Sequence, residues 1–314
     1  MSSLQPTRED YRSGFVALIG RPNVGKSTLV NKFVGEKVAI TSPVAQTTRN
    51  RLRAILTTPK AQLVFVDTPG IHKPHHLLGE RLVASSKKVI GEVDTILLVL
   101  EGCESPGRGD SFIVNLLKAQ SIPVVIVLNK WDLVQKNDQK ERVKEYRTLV
   151  GNDDWLIFCC SAISGDGCDG LIENISTFLP VGPYLYPSEI ISDQPEEILL
   201  SELIREQVLL NTREEVPHSV AVKIDRIEQI PLKKKKGDFS KRTAVLATVL
   251  VERKSQKGIL IGKGGSMLRT IGKEARLQMQ KLINGPVYLE LFVKVVPDWR
   301  SKPGKLTELG YEGK

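Results

Sequence analysis

Short, wholly apolar runs alternate with segments of helical spacing along the first 180 positions. Phe15–Ile19, Leu52–Thr57, Gln62–Val66, Thr95–Leu100, Val124–Leu128 and Trp155–Cys160 read as strands, and Lys26–Val34, Leu77–Val93, Ser111–Ala119, Lys136–Leu149 and Cys168–Phe178 as helices. Strands apolar on both faces and separated by helices predict a mostly parallel sheet covered by helices on both sides, an α/β domain. Two polar stretches, Gly35–Asn50 and Gly70–His76, show no period and read as loops. Pro180, Pro183, Pro187 and Pro195 then mark a linker. Beyond it come a helix (Glu196–Glu214), a half-buried strand starting at Val220, a returning strand (Ala244–Val251), a short turn or helix (Gly258–Ile261), a long helix (Ser266–Leu282) and a final strand (Val287–Val296). That α-β-β-α-α-β order predicts a second, smaller α+β domain. The expected divisions are an extension over 1–13, a first domain over 14–180, a linker over 181–195, a second domain over 196–298 and a polar, flexible tail over 299–314.

Charge separates the two parts. Residues 221–314 carry 21 Lys and Arg against 9 Asp and Glu, whereas the preceding 220 carry a net −3. A near-neutral domain joined to a strongly basic one points to nucleic acid or an anionic membrane surface as partner. The four cysteines (Cys103, Cys159, Cys160, Cys168) form no C-x-x-C pair, which suits free thiols in a reducing compartment. No apolar run is long enough to span a bilayer, and Glu9 and Asp10 argue against a signal peptide. The expectation is a cytoplasmic monomer.

The chemistry begins after the first strand. Gly20-Arg21-Pro22-Asn23-Val24-Gly25-Lys26-Ser27 has the form G-x-x-x-x-G-K-S in the strand–loop–helix context of a phosphate-binding loop. Its N–H groups and the helix N-terminus would cradle anionic oxygens, with Thr28 in the same cradle. Lys26 would reach the β- and γ-phosphates, and Ser27 would ligate Mg²⁺. Asp67-Thr68-Pro69-Gly70 ends another strand. Asp67 is placed to hold Mg²⁺ through water, and the Gly70 N–H to meet the γ-phosphate. A threonine of Gln46-Thr47-Thr48-Arg49 would complete the metal shell, with Thr48 favoured over Thr47. Asn129-Lys130-Trp131-Asp132 supplies base choice, because a carboxylate at Asp132 can accept from guanine N1–H and its exocyclic amine and adenine offers neither. Asn129 would hold the loop and touch the base, and the Lys130 stem would cover the purine. Cys160-Ser161-Ala162 offers the Ser161 and Ala162 backbone to guanine O6. Lys26, Thr48 and Gly70 are thus the candidate catalytic groups.

These motifs, in this order, resemble a translation-factor-related GTPase domain, and Asp67-Thr68-Pro69-Gly70-Ile71-His72-Lys73-Pro74 resembles the Era family in particular. The resemblance implies slow GTP hydrolysis and a GTP-bound form that binds RNA. Where signalling GTPases carry a water-orienting glutamine this chain has Ile71, so backbone, metal-linked groups or a partner must hold the attacking water. Asn23 is either a loop residue or, as in related GTPases, a companion to K⁺ between the phosphates.

Ile261-Gly262-Lys263-Gly264-Gly265 is a G-x-x-G loop ahead of a helix, in a stretch (233–281) with 14 Lys and Arg against 3 Asp and Glu. Glycines permit close approach to a sugar–phosphate backbone, and Lys263, with Lys257, Arg269 and Lys273 nearby, would meet phosphates. The element order resembles a type II KH domain. A GTPase followed by a KH domain is the Era arrangement, over nearly the whole chain. That resemblance implies binding to the 3′ region of 16S rRNA and assistance to small ribosomal subunit assembly, with GTP or GDP and Mg²⁺ as ligands. Two alternatives stand beside it: a constitutive RNA-binding or RNA-annealing protein with nucleotide as a structural ligand, and contact of Lys233–Lys236 with the inner membrane face.

Overall fold

The computed structural model describes residues 10–44, 47–49, 51–71, 76–233 and 239–311, without the side chains of 232, 233, 239 and 240. The expectations placed on Gln46, on His72–Pro74 and on the lysine run Lys233–Lys236 therefore lie outside the described residues or side chains.

The first sheet consists of β1 (Arg12–Ile19), β2 (Leu52–Thr57), β3 (Ala61–Asp67), β4 (Thr95–Glu101), β5 (Val124–Asn129) and β6 (Ile157–Cys159). The order is β2-β3-β1-β4-β5-β6, with β2 antiparallel to β3 and the other neighbours parallel. Alternate residues of β1 fill opposite faces, as a period of two requires. Val16 and Leu18 pack with Leu29, Val30 and Phe33 of α1 (Lys26–Val34) and Leu171 and Ile175 of α5 (Cys168–Thr177). Ala17 and Ile19 pack on the side of α2 (Leu77–Ile90), α3 (Arg108–Lys118) and α4 (Gln139–Val150), through Val89, Ile113, Leu117 and Tyr146. The connection reverses direction at β1, with β3 on one side and β4 on the other. That is the switch point where ligands enter an open α/β sheet.

The proline-rich stretch after residue 180 is stapled to the sheet. The buried Gln62 side chain accepts from the Leu185 and Tyr186 N–H groups (2.7 and 2.9 Å) and donates to the Tyr186 carbonyl (2.8 Å). Ile55 N–H donates to the Ile191 carbonyl at 2.9 Å, so the segment also covers the exposed edge of β2.

The second domain contains α6 (Glu196–Asn211), the single turn α7 (Val216–Ser219), β7 (Ala221–Lys233), β8 (Phe239–Val251), α8 (Lys254–Ile261), α9 (Ser266–Ile283) and β9 (Val287–Val295). Its sheet has the order β7-β8-β9, antiparallel then parallel, with a bulge between Ile224 and Arg226. Helix α8 begins at Lys254, earlier than the sequence pattern suggests. The Gln256 side-chain oxygen accepts from the Glu252 and Arg253 N–H groups (2.9 and 3.0 Å) and so fixes its start.

The tail departs from expectation. Residues 299–311 fold into a helical turn and α10 (Pro303–Glu308), and bury Trp299, Leu306 and Tyr311 against Leu78 and Leu82 of α2 and Ala221 and Leu250 of the second sheet. Three large apolar side chains spread among polar ones were enough to anchor it. Trp299 Nε1 donates to the Ser219 carbonyl at 2.8 Å, and Arg81 donates to the Tyr311 carbonyl at 2.7 Å. The segment thus bridges the two domains.

Candidate nucleotide site and second-domain groove

The loops after β1, β3 and β5 meet along one edge of the first sheet, around a cleft of about 580 Å³. It is lined by Pro22, Asn23, Gly25, Lys26, Ser27, Thr28, Thr48, Gly70 and Lys130, which sequence reasoning named. The first loop turns sharply because Gly20 lies against the β4 backbone and Gly25 adopts φ 96°. A Cβ on Gly20 would sit 2.3 Å from the Val99 carbonyl oxygen, and one on Gly25 would sit 2.2 Å from Asn129 Nδ2. Gly70 is equally constrained, since a Cβ there would lie 2.5 Å from the Pro22 nitrogen.

Lys26 is buried, and its Nζ donates to the carbonyls of Gly20 (3.2 Å) and Arg21 (2.8 Å). Burial lowers its pKa to about 8, with Asp67 opposing the shift. Asp67 Oδ2 accepts from Ser27 Oγ (2.6 Å) and Thr48 Oγ1 (3.1 Å), and those two hydroxyls lie 2.8 Å apart. Asp67 Oδ1 is buried with no hydrogen-bond partner, and burial pushes this carboxyl above the usual range. Converging hard oxygens with one orphaned carboxylate oxygen suit Mg²⁺. Thr47 instead bonds Ser42 Oγ (3.1 Å) and the Val44 carbonyl (2.6 Å), so Thr48 is the threonine that joins Ser27 and Asp67.

Other expected residues take structural work. The Arg21 side chain is tied to the buried Asp110 at 2.8 Å, leaving its backbone to the loop. Thr68 Oγ1 donates to the Leu18 carbonyl at 2.7 Å, and the Pro69 carbonyl accepts from Ser86 at 2.8 Å. Asn23, at φ 65°, donates to the Pro43 carbonyl at 2.8 Å, a loop-holding task. Ile71 is buried in the core and donates its N–H to the Gly20 carbonyl at 3.1 Å.

The base-reading loops are tied to one another and to the phosphate loop. Asn129 Nδ2 donates to the Val24 carbonyl (2.8 Å) and its Oδ1 accepts from the Ala162 N–H (3.0 Å), so this side chain ties the phosphate loop to the Ser161–Ala162 loop. The Ser161 N–H donates to the Asp166 carbonyl at 3.0 Å. The two amides expected to meet guanine O6 thus have partners within the protein, Asp166 for Ser161 and Asn129 for Ala162. Asp132 is exposed on a one-turn helix at the end of β5, and Lys130 pairs with Glu101. Glu101 and Leu210, both lining the cleft, escaped sequence reasoning. Glu101 ends a buried strand with no motif around it, and Leu210 comes from the other domain.

On the second domain, Gly262 (φ 70°), Gly264 (φ 59°) and Gly265 (φ 76°) form the tight turn between α8 and α9, with Lys263 and Gly264 exposed. Beside it a groove of about 480 Å³ runs between α9 and β9, lined by Gly265, Leu268, Arg269, Gly272, Lys273 and Arg276 and floored by Leu289 and Leu291. Gly272 leaves room in it, since a Cβ there would stand 3.5 Å from Leu291. Arg276 was missed, although Arg269, Lys273 and Arg276 fall at i, i+4 and i+7, one helical face. Ile261 and Lys257 are half-buried on the α8 side of the loop.

Residues 15–130 match the family model of a 50S ribosome-binding GTPase, and residues 215–300 that of a KH domain. GTPase Era of Nostoc sp. is 54% identical over 309 residues, 98% of this chain and 92% of the relative. GTPase Era of Synechocystis sp. is 52% identical, over 96% of this chain and 93% of its own. Among solved structures, Era in complex with MgGDPNP and nucleotides 1506–1542 of 16S ribosomal RNA superposes with a TM-score of 0.89 at 38% identity, covering 96% of this chain and 99% of that one. A variant of Aquifex aeolicus Era bound to GDP·AlF4⁻ gives a TM-score of 0.88 at 37% identity, with the same coverage. Identity above one half along nearly the full length of both chains, on a fold whose phosphate loop and KH turn are both intact, places the chain in the Era family, and it is a GTP-binding and GTP-hydrolysing protein.

Proposed function

We propose that the chain couples GTP hydrolysis to binding of 16S rRNA near its 3′ end, and so assists small ribosomal subunit assembly. The observation that carries this reading is a basic, apolar-floored groove beside a G-x-x-G turn, on the same molecule as a guanine-nucleotide cleft. The related Era solved with 16S nucleotides 1506–1542 supports the choice of RNA. Lys263 and the turn amides take phosphates, and splayed bases enter over Leu289 and Leu291 beside Arg269, Lys273 and Arg276.

In the cleft, Lys26 and the Gly20–Ser27 amides hold the phosphates, and Asp132, exposed on the turn after β5, reads guanine. Ser27, Thr48 and Asp67 would hold Mg²⁺, which when bound neutralises charge between the β- and γ-phosphates. The Gly70 backbone, packed against Pro22, meets the γ-phosphate side. Ile71 is buried in the core, so its side chain does not position the attacking water, a task that falls to backbone, metal-linked groups or a partner.

The test is affinity for a short single-stranded RNA from the 3′ end of 16S rRNA, comparing the native chain with the double substitution Lys263→Asp and Gly264→Asp. RNA binding should fall by at least about tenfold at physiological salt, since a phosphate-facing cation becomes an anion. GTP binding should not change. Undiminished RNA affinity in the variant would remove the groove from the account.

A further inference from the structure

The second domain also reaches back to the nucleotide cleft. Helix α6 lays Glu202, Arg205 and Glu206 along the loop that carries Thr48. Glu206, 1% exposed, accepts from the Thr41 N–H at 2.9 Å and pairs with Lys37 at 2.5 Å. Arg205, also 1% exposed, donates to the Thr47 carbonyl, and Glu202 holds its guanidinium through Nε at 2.8 Å. On the other side of Thr48, the buried Arg49 donates to the Val220 carbonyl at 2.5 Å and the His218 carbonyl at 3.3 Å, with Trp299 5.9 Å from its guanidinium. Thr48 is thus flanked by two residues anchored on the second domain, while its hydroxyl turns to Ser27 and Asp67.

We infer that Arg205 and Glu206 are positioning residues for the triphosphate site, holding the backbone at Thr41 and Thr47 so that the Thr48 hydroxyl faces Ser27 and Asp67. The inference rests on the reading of Ser27, Thr48 and Asp67 as the metal-binding set. Both contacts are charge-assisted and come from buried side chains, so losing either takes a charged partner from a half-buried backbone group of the loop. A diphosphate makes no demand on Thr48, whereas a triphosphate does. The GTPase site is therefore complete only when the RNA-binding domain is docked on this loop, and displacement of α6 withdraws Thr48 from it.

The test measures binding of a non-hydrolysable GTP analogue and of GDP to the full chain across a Mg²⁺ titration. Arg205→Met and Glu206→Ala should each weaken the analogue by about tenfold and leave GDP within about twofold, the loss of one charged hydrogen bond. Glu206→Gln keeps an acceptor for the Thr41 N–H and should retain most of the preference. If Arg205→Met does not fold, Glu206→Ala carries the same prediction. A parallel decline for analogue and GDP would reduce both residues to structural roles and overturn the inference. Thr48→Val separates the premises. If it erases the preference and the α6 variants do not, the positioning claim alone fails; if it leaves the preference intact, the metal-site reading falls and takes the inference with it.

Discussion

Single side chains around the cleft divide into those that converge on one point and those that tie loops together. Lys26, Ser27, Thr48 and Asp67 converge, and the orphaned Oδ1 of Asp67 marks where a cation fits. Asn129, Ser161 and Ala162 are committed to one another and to the phosphate loop. Asp132 stands exposed on the turn that follows β5. Asp132→Asn should weaken GTP by at least about a hundredfold and favour xanthosine triphosphate, whose carbonyl at position 2 needs a donor. Competition between the two nucleotides measures this, and retained preference for GTP would contradict the assignment. Much of this was legible in the chain. The phosphate loop and Asp132 follow buried strands and Asp67 ends one, and that context gives a short motif meaning. That Asn129 holds a loop was legible, but its partners Val24 and Ala162 were not, because they come from loops after other strands and no local pattern records them.

Elements were easiest to read where burial was complete. The strands of the first sheet have apolar residues on both faces, so their cores were found with ends off by a few residues. The start of α8 was missed because a single side chain, Gln256, caps it. Residues 299–311 were misread as loose because Trp299, Leu306 and Tyr311 are widely spaced, and their partners lie on α2 and the second sheet. Trp299→Ala should cost about 3–5 kcal/mol in urea unfolding, as expected for a fully buried indole. An unchanged midpoint would mean the segment is not docked. Helix α2 carries a pH-dependent start, since His76 Nδ1 accepts the Gly79 N–H at 2.9 Å and so must be unprotonated there. Burial, then the charge of Arg300, holds this imidazole below its usual value. The unfolded chain therefore binds the proton first as pH falls below about 6.5, and stability declines from there until the folded pKa is passed. Hydrogen exchange at Gly79 should accelerate between pH 7.5 and 5.5 beyond its intrinsic pH trend, and His76→Asn, which caps without titrating, should abolish the excess. Equal behaviour of the two chains would contradict the cap.

At the scale of the molecule, the domains are not beads on a string. The proline-rich stretch is stapled to β2 and β3, Trp299 and Tyr311 sit between α2 and the second sheet, and α6 grips the loop bearing Thr48. Among the described residues no helix is long and apolar enough to cross a membrane. Part of the charge asymmetry seen in the sequence gathers in a groove with three cations on one helical face, on a domain whose helix α6 contributes Leu210 to the nucleotide cleft. Two ligands that bind the same docked arrangement must favour each other's binding. The decisive measurement is the affinity of the full chain for a single-stranded RNA from the 3′ end of 16S rRNA, once with a GTP analogue and once with GDP, at one fixed physiological salt concentration because basic segments bind any RNA at low salt. Binding should be at least about fivefold tighter with the analogue, the lower end of ordinary allosteric coupling. Equal affinity in the two nucleotide states would contradict it and leave an RNA-binding protein whose nucleotide serves only its fold.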